Sequence, residues 1–403
     1  MIGSESYSAQ FSNEELVALR GYRSERVRHA LVASGFDCAV LFDPINLRYA
    51  TGTRNMQVWS MHNACRYAFI AVDGPIILFD YAGAAHLSSG IETVNEVRPA
   101  LTWDYFATGA RNEELAVKWA SDIADLVARY STAPRIGIDR IDLLPLRALV
   151  QRGVAVFDVK PALERARSIK SPIELRQMEA AYVCCSDSIR AMRDKLAPGI
   201  RESDALAALA AANIERGGEY METRLLTSGP RTNPWLQETS SRVIQAGELL
   251  VFDTDIVGPF GIFTDVSRAW IVGDEKPDAE QRLLYRLAHE QLHHNVELLT
   301  PGMDFREFAA RAWPIPPEYV GNRYAELLHG VGMAVEYPVV YHAQDAATWQ
   351  YDGVFETGMT VCVESYIGAQ GGRQGVKLEQ PVYIGAEGLR TLCDYPFEPA
   401  LLD

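Results

Sequence analysis

Leu249–Trp270 reads LLVFDTDIVGPFGIFTDVSRAW, and its pattern decides the fold of the C-terminal half. The spacing predicts a strand, a turn and a second strand, with Gly258-Pro259-Phe260-Gly261 at the bend. Asp253 and Asp255 are two apart, and residues two apart share one face of a strand. A hairpin that pivots near Phe260 sets Asp255 opposite Asp265, and directly opposed residues place their Cβ atoms about 4.5–5.5 Å apart. Three carboxylates on one apolar hairpin face repel strongly unless a cation lies among them, and carboxylates are natural ligands for hard divalent metals. A solvated acidic tip is the competing reading. The apolar flanks Leu249–Phe252 and Ile262–Phe263 suit burial and weigh against it.

Two further carboxylates follow the same logic. Glu364 lies in the β-rich run Thr360–Ile367 (TVCVESYI), and Glu379 in Val376–Ile384 (VKLEQPVYI). A charge inside such a strand either faces solvent or is paired. Among eight histidines, His329 stands apart because it opens His329-Gly330-Val331-Gly332, where glycines let backbone approach a site closely. Taken alone, such a histidine is more often structural than a ligand.

Outward from the hairpin, the segment ARSIKSPIE at Ala166–Glu174 carries the charge, Ser and Pro of a domain junction. A long helix is expected after it, with Ser171 as N-cap and Pro172 at the first position. Further helices are expected over 203–217, starting at Ser203, and over 278–299, stopping before Pro301-Gly302. In the N-terminal half, apolar spacing predicts helices over 14–34 and 112–130. Short apolar runs there suit strands: Cys38–Phe42, Tyr67–Val72, Pro75–Phe79 and Arg135–Ile138, with a hairpin turn at Asp73-Gly74. The expected organisation is an α/β domain over 1–165 and an α+β domain over 166–403.

Composition fits this picture. The chain has 403 residues, 48% hydrophobic and 23% charged, with a formal net charge of −15. Such a balance argues against nucleic acid or an anionic membrane as partner, since either would repel the surface. It leaves room for a small substrate held at a local cation. No run of about 18 apolar residues predicts a membrane span. The N-terminus MIGSESYSAQ lacks the charged-then-apolar pattern of a leader. Six cysteines without a CxxC pair read as reduced thiols, and a cytoplasmic location is expected.

The order Asp, Asp, His, Glu, Glu in these contexts resembles the pita-bread metalloenzyme superfamily, which includes methionine aminopeptidase, prolidase, aminopeptidase P and creatinase. RSIKSPIELRQM, the FDTD…FTDVSR hairpin, the HGVG turn and the KLEQPV strand carry the resemblance. FDPINLRYATGTRN resembles the N-terminal domain of the creatinase and prolidase branch. The resemblance implies a pita-bread C-terminal domain behind an α/β N-terminal domain. It also implies two divalent ions (Fe, Mn, Co or Zn) on Asp255, Asp265, His329, Glu364 and Glu379. TGTRNMQV, TSGPRTNPW, the doubled FDTD and HGVG…EYP are similar to the bacterial dimethylsulfoniopropionate lyases, and this similarity adds Asp253 to the ligands.

Two departures bear on the reaction. The peptidases of this superfamily carry a histidine near the segment that here reads TSGPRTNPWLQE, and another seven positions after the ligand histidine, where this chain has Glu336. The lyases carry an aspartate, proposed as the base, where this chain has Val335. The resemblance therefore implies a lyase-related enzyme acting by proton abstraction and β-elimination without that base. Hydrolysis of a small amide or Xaa-Pro dipeptide is the alternative, and a non-catalytic binding protein a second one. Glu336, Tyr324 and Tyr337 are the candidate catalytic residues. Trp235, Tyr366 and Trp59 are the candidate walls for a substrate with a carboxylate and a cationic group, although core packing would account equally for each aromatic. A homodimer is expected, in which Arg54–Arg66 (RNMQVWSMHNACR) of one chain supplies a wall and a cation to the other chain's site.

Overall fold

The computed structural model describes residues 10–403 and divides into two units, Phe11–Arg167 and one built mainly from Ser168–Asp403. Residues 1–9, most of the polar start read above, lie outside the described residues.

The N-terminal unit is built on a mixed six-stranded sheet. Its spatial order is Glu96–Pro99, Ile76–Asp80, Tyr67–Ala71, Cys38–Leu41, Arg135–Ile138 and Ala155–Asp158. The Asp73-Gly74 turn joins two antiparallel neighbours as expected, and the outer pairs are parallel. Helix Asn112–Tyr130 turns Ala116, Trp119, Ile123, Leu126 and Val127 inward at helical spacing. Around Trp119 gather Phe42, Tyr67 and Trp103, with ring centroids 5.1–6.2 Å from it. Each such buried side chain contributes roughly 2–3 kcal/mol. Two edge strands, Glu96–Pro99 and Ala155–Asp158, escaped the sequence reading because they are short and largely exposed, without the apolar run that marks a strand.

The C-terminal unit holds three antiparallel sheets. The largest runs Val335–Tyr341, Glu326–Val331, Thr360–Ile367, Val376–Gly385 and Gly388–Thr391. Helix Pro172–Lys195 starts where expected, with a reciprocal Ser171–Glu174 capping box. Helix Ala279–Leu298 packs on the strands that carry Glu364 and Glu379, burying Leu284, Tyr285, Ala288 and Leu292. The helix expected from Ser203 begins one residue earlier, as Glu202–Glu215. Arg201 is its N-cap, and the Asp204 carboxylate accepts from the Arg201 backbone N–H.

The hairpin turns at Pro259–Gly261, with Phe260 and Gly261 at positive φ. Its strands pair Asp253 with Ser267, then Ile256 with Thr264 and Val257 with Phe263. Both ladders share one register, which sets Asp255 across from Asp265. The ladder is interrupted at Asp255, whose φ of 40° is left-handed. Thr254 bridges the gap: its hydroxyl donates to the Thr264 carbonyl at 2.9 Å and accepts from the Val266 N–H at 3.0 Å. Asp253 and Asp255 thus meet across a local break in the strand, where the expected simple alternation does not hold. No helix among the described residues is long and apolar enough to cross a membrane.

Candidate metal centre

All six expected ligands are buried side chains of the C-terminal unit. The hairpin brings one oxygen each of Asp253, Asp255 and Asp265 within 4.8 Å of one another. A second group of donors joins Asp265, His329, Cys362 and Glu379 within the same span. Asp265 is common to both. In the large sheet, Glu364 lies directly across from Glu379, and His329 directly across from Cys362. Like charges directly opposed across a ladder are destabilising, so this pairing requires positive charge nearby. His329 Nε2 stands 3.4 Å from Glu364 Oε1, 3.5 Å from Asp265 Oδ2 and 3.6 Å from Glu379 Oε1.

Lys377 is the cluster's own cation, and the sequence reading missed it. It is fully buried. Its ammonium lies 2.6 Å from Glu364 Oε2, 3.1 Å from Asp253 Oδ2 and 3.3 Å from Glu379 Oε2, and donates to Ser267 Oγ at 2.9 Å. The signal was present: Lys377 is two residues before Glu379 on one strand and so shares its face. Cys362, two before Glu364, was missed in the same way. Burial and the charges of Glu379 and Asp265 push its thiol well up, which favours the protonated form.

The electrostatics show a site short of positive charge. Burial, then the charges of Glu379 and Asp253, raise Asp265 well above the usual carboxylate range. Burial and Glu364 do the same to Glu379. Burial and the Asp253 charge push Asp255 up to about 7, although the Thr223 hydroxyl bonds to it. Burial would raise Asp253 too, but Lys377 overrides it and holds that carboxyl at about 2. Burial works to lower the His329 imidazolium, and the Glu364 carboxylate overrides it, so the ring is held at about 9. Asp253 Oδ1, Asp265 Oδ1 and Glu379 Oε1 are buried without a hydrogen-bond partner. Native interiors rarely leave such atoms unmatched. Carboxylate oxygens with one imidazole suit a divalent cation, so the residues fit a metal.

Residues 23–169 match the creatinase/prolidase N-terminal domain, and residues 176–386 match metallopeptidase family M24. The chain belongs to metallopeptidase family M24. It is an enzyme of that family, whose members use divalent metals, with a creatinase/prolidase-type domain ahead of the pita-bread domain. Two similar proteins are named dimethylsulfoniopropionate lyase DddP. The one from Roseobacter denitrificans is 38% identical over 99% of this chain and 90% of its own length. The one from Roseovarius nubinhibens is 38% identical over 96% of this chain and 88% of its own length. Among solved structures, an Xaa-Pro dipeptidase from Bacillus anthracis superimposes with a TM-score of 0.76. It covers 94% of this chain and 99% of its own, at 19% identity, a likeness of fold.

The other candidate residues of this M24 chain are placed differently from one another. Tyr324 adjoins the cluster, with its ring centroid 4.6 Å from Lys377 Nζ. Glu336 is buried and ion-paired with Lys170, a residue of the domain junction. Val335 beside it is about half exposed, as neighbours on a strand alternate. Tyr337 stacks on Tyr351, with centroids 5.7 Å apart. Trp235 and Tyr366 sit in the apolar core 6.3 Å apart, and the Tyr366 hydroxyl donates to the Thr232 carbonyl at 2.9 Å. In the N-terminal unit, Trp59 is exposed and packs edge-on against Phe106. Arg66, at the end of the stretch expected to supply a cation, is buried and bonds to Asp80 at 2.9 Å.

Proposed function

We propose that this chain is a dinuclear metal-dependent lyase acting on a small carboxylate with a leaving group at Cβ. Asp253, Asp255, Asp265, His329, Glu364 and Glu379 would hold the ions. The five carboxylates set against Lys377 leave four formal negative charges, which two divalent ions would balance. Bound there, divalent ions supply Lewis acidity that stabilises negative charge developing on a substrate carboxylate.

One observation carries the lyase reading over the hydrolase one. The position at which the family's hydrolases keep a second histidine is Glu336, and that carboxylate is buried against Lys170. A buried carboxylate in an ion pair is a poor substitute for a proton-shuttling imidazole. The 38% identity to two named lyases along nearly the full chain supports the same reading. In the elimination, a base takes a proton from Cα. The C–H electron pair becomes the Cα=Cβ bond, and the Cβ–leaving-group pair departs with the leaving group.

Val335 cannot act as that base, and Glu336 is engaged by Lys170. Cleavage of dimethylsulfoniopropionate is therefore expected to be slow, although this substrate class fits best. The test is a parallel assay of metal-loaded protein on sulfonium, betaine and dipeptide substrates. Slow elimination with negligible dipeptide hydrolysis is expected. Strong Xaa-Pro dipeptide turnover would replace the reading with a hydrolase. Fast dimethyl sulfide release would show that the base has been misplaced. A homodimer belongs to the same reading, and a monomer by light scattering at micromolar concentration would remove it.

A further inference from the structure

Beside the Tyr324 ring that covers Lys377 opens a cavity of about 470 Å³, walled by Arg323, Tyr324, Glu326, Tyr341, Asp345 and Trp349. Its charges are unequal. The Arg323 guanidinium is matched by Asp345, with contacts of 2.6, 2.6 and 3.1 Å, so those two residues cancel. The backbone of Glu326 pairs with Tyr341 in the sheet, but its half-buried carboxylate has no hydrogen bond or ion pair to any described residue. Burial and the Glu364 charge raise its carboxyl above the usual range, against the opposing pull of His329 and Lys377. The remaining walls are aromatic. Tyr341 and Trp349 lie 6.2 Å apart, Trp349 is largely exposed, and Tyr324 closes the side toward Lys377. An unmatched carboxylate among aromatic faces is the chemistry that receives an organic cation, because ring quadrupoles attract positive charge and add to the carboxylate's pull.

We propose that this cavity is the cation subsite of the substrate pocket, taking an alkylated sulfonium or quaternary ammonium group. Glu326 supplies the counter-charge, and Tyr341 and Trp349 supply the walls. The proposal rests on the lyase reading only for placing the substrate's carboxylate at the neighbouring cluster. An alkylated cation fits better than a primary ammonium. The latter needs three acceptors, and Asp345 is already taken by Arg323. Neither Tyr341 nor Trp349 was singled out from sequence, because strand Val335–Tyr341 and the short helix Ala346–Trp349 come together only in the folded unit.

The experiment uses the full-length, metal-loaded chain and tetramethylammonium as probe, at constant ionic strength. Saturation-transfer NMR of the probe's methyl signal is titrated against protein. Saturable binding is expected, weakened about tenfold or more by Glu326→Gln and by Trp349→Ala. The neutral isostere tert-butanol and the primary cation ethylammonium should bind more weakly. Both substitutions alter side chains of a cavity wall, and melting curves will confirm that each variant is folded. Equal binding of tert-butanol, tighter binding of ethylammonium, or full retention of affinity in folded Glu326→Gln would each overturn the proposal. No turnover enters the measurement. Absence of elimination would thus defeat the lyase reading while leaving the subsite intact, and loss of probe binding would do the reverse.

Discussion

Replacing Lys377 with methionine tests the charge balance of the cluster most directly. Methionine keeps most of the buried stem and removes the ammonium that stands 2.6–3.3 Å from three carboxylates. Removing one partner of a buried ion pair costs roughly 3–5 kcal/mol, because the other is left uncompensated. Here the carboxylates can take up a proton in its place, since burial already raises Glu379 and Asp265. That relief places the cost near the low end, about 3 kcal/mol. For a domain of about 150–250 residues, 1 kcal/mol shifts the melting temperature by roughly 2–4 °C. Metal-free Lys377→Met should therefore melt about 6–12 °C below the unmodified protein near neutral pH. The sign with pH is fixed. A carboxylate whose folded pKa lies above its unfolded value of about 4 gives its full stability below that value and loses it as pH rises. The deficit should shrink toward pH 5 and widen toward pH 8. Calorimetry of chelator-dialysed samples across that range is the assay. A melting temperature within about 2 °C of the unmodified protein at pH 8, or a deficit largest in acid, would refute the reasoning.

Chelation should lower the melting temperature, and Asp265→Ala should lose at least one ion, since Asp265 belongs to both donor groups. Unchanged metal content in that variant would strike Asp265 from the ligands. His342 is held at about 4 by burial and the Arg323 guanidinium. With an unfolded value near 6.5, it contributes stability that is complete above about pH 6.5 and lost as pH falls through 4, on the order of 3 kcal/mol. His342→Gln should flatten that part of the acid-stability curve, and identical curves would rule the role out. Val335→Asp should speed elimination, by up to about 10²–10⁴-fold if the new carboxylate reaches the Cα proton. Dimethyl sulfide release that stays flat would place the base elsewhere.

The hairpin register was legible in the sequence because a two-residue period and a Gly-Pro turn leave one pairing that buries both apolar flanks. The candidate ligand set was carried by the family motifs, and the residues by themselves said only that carboxylates in buried strands need compensation. The helix start capped by Ser171 was legible because side-chain caps are local chemistry. Tertiary structure alone decided three other things. Glu364 faces Glu379 because the register of two strands joined by a loop is fixed by packing against the helix above them. Glu336 meets Lys170 across 166 positions, a distance over which no sequence period carries information. Tyr341 and Trp349 flank Glu326, whereas Tyr366 turns into the core. Aromatic side chains read alike in sequence, and only the folded packing decides which of them face a cavity.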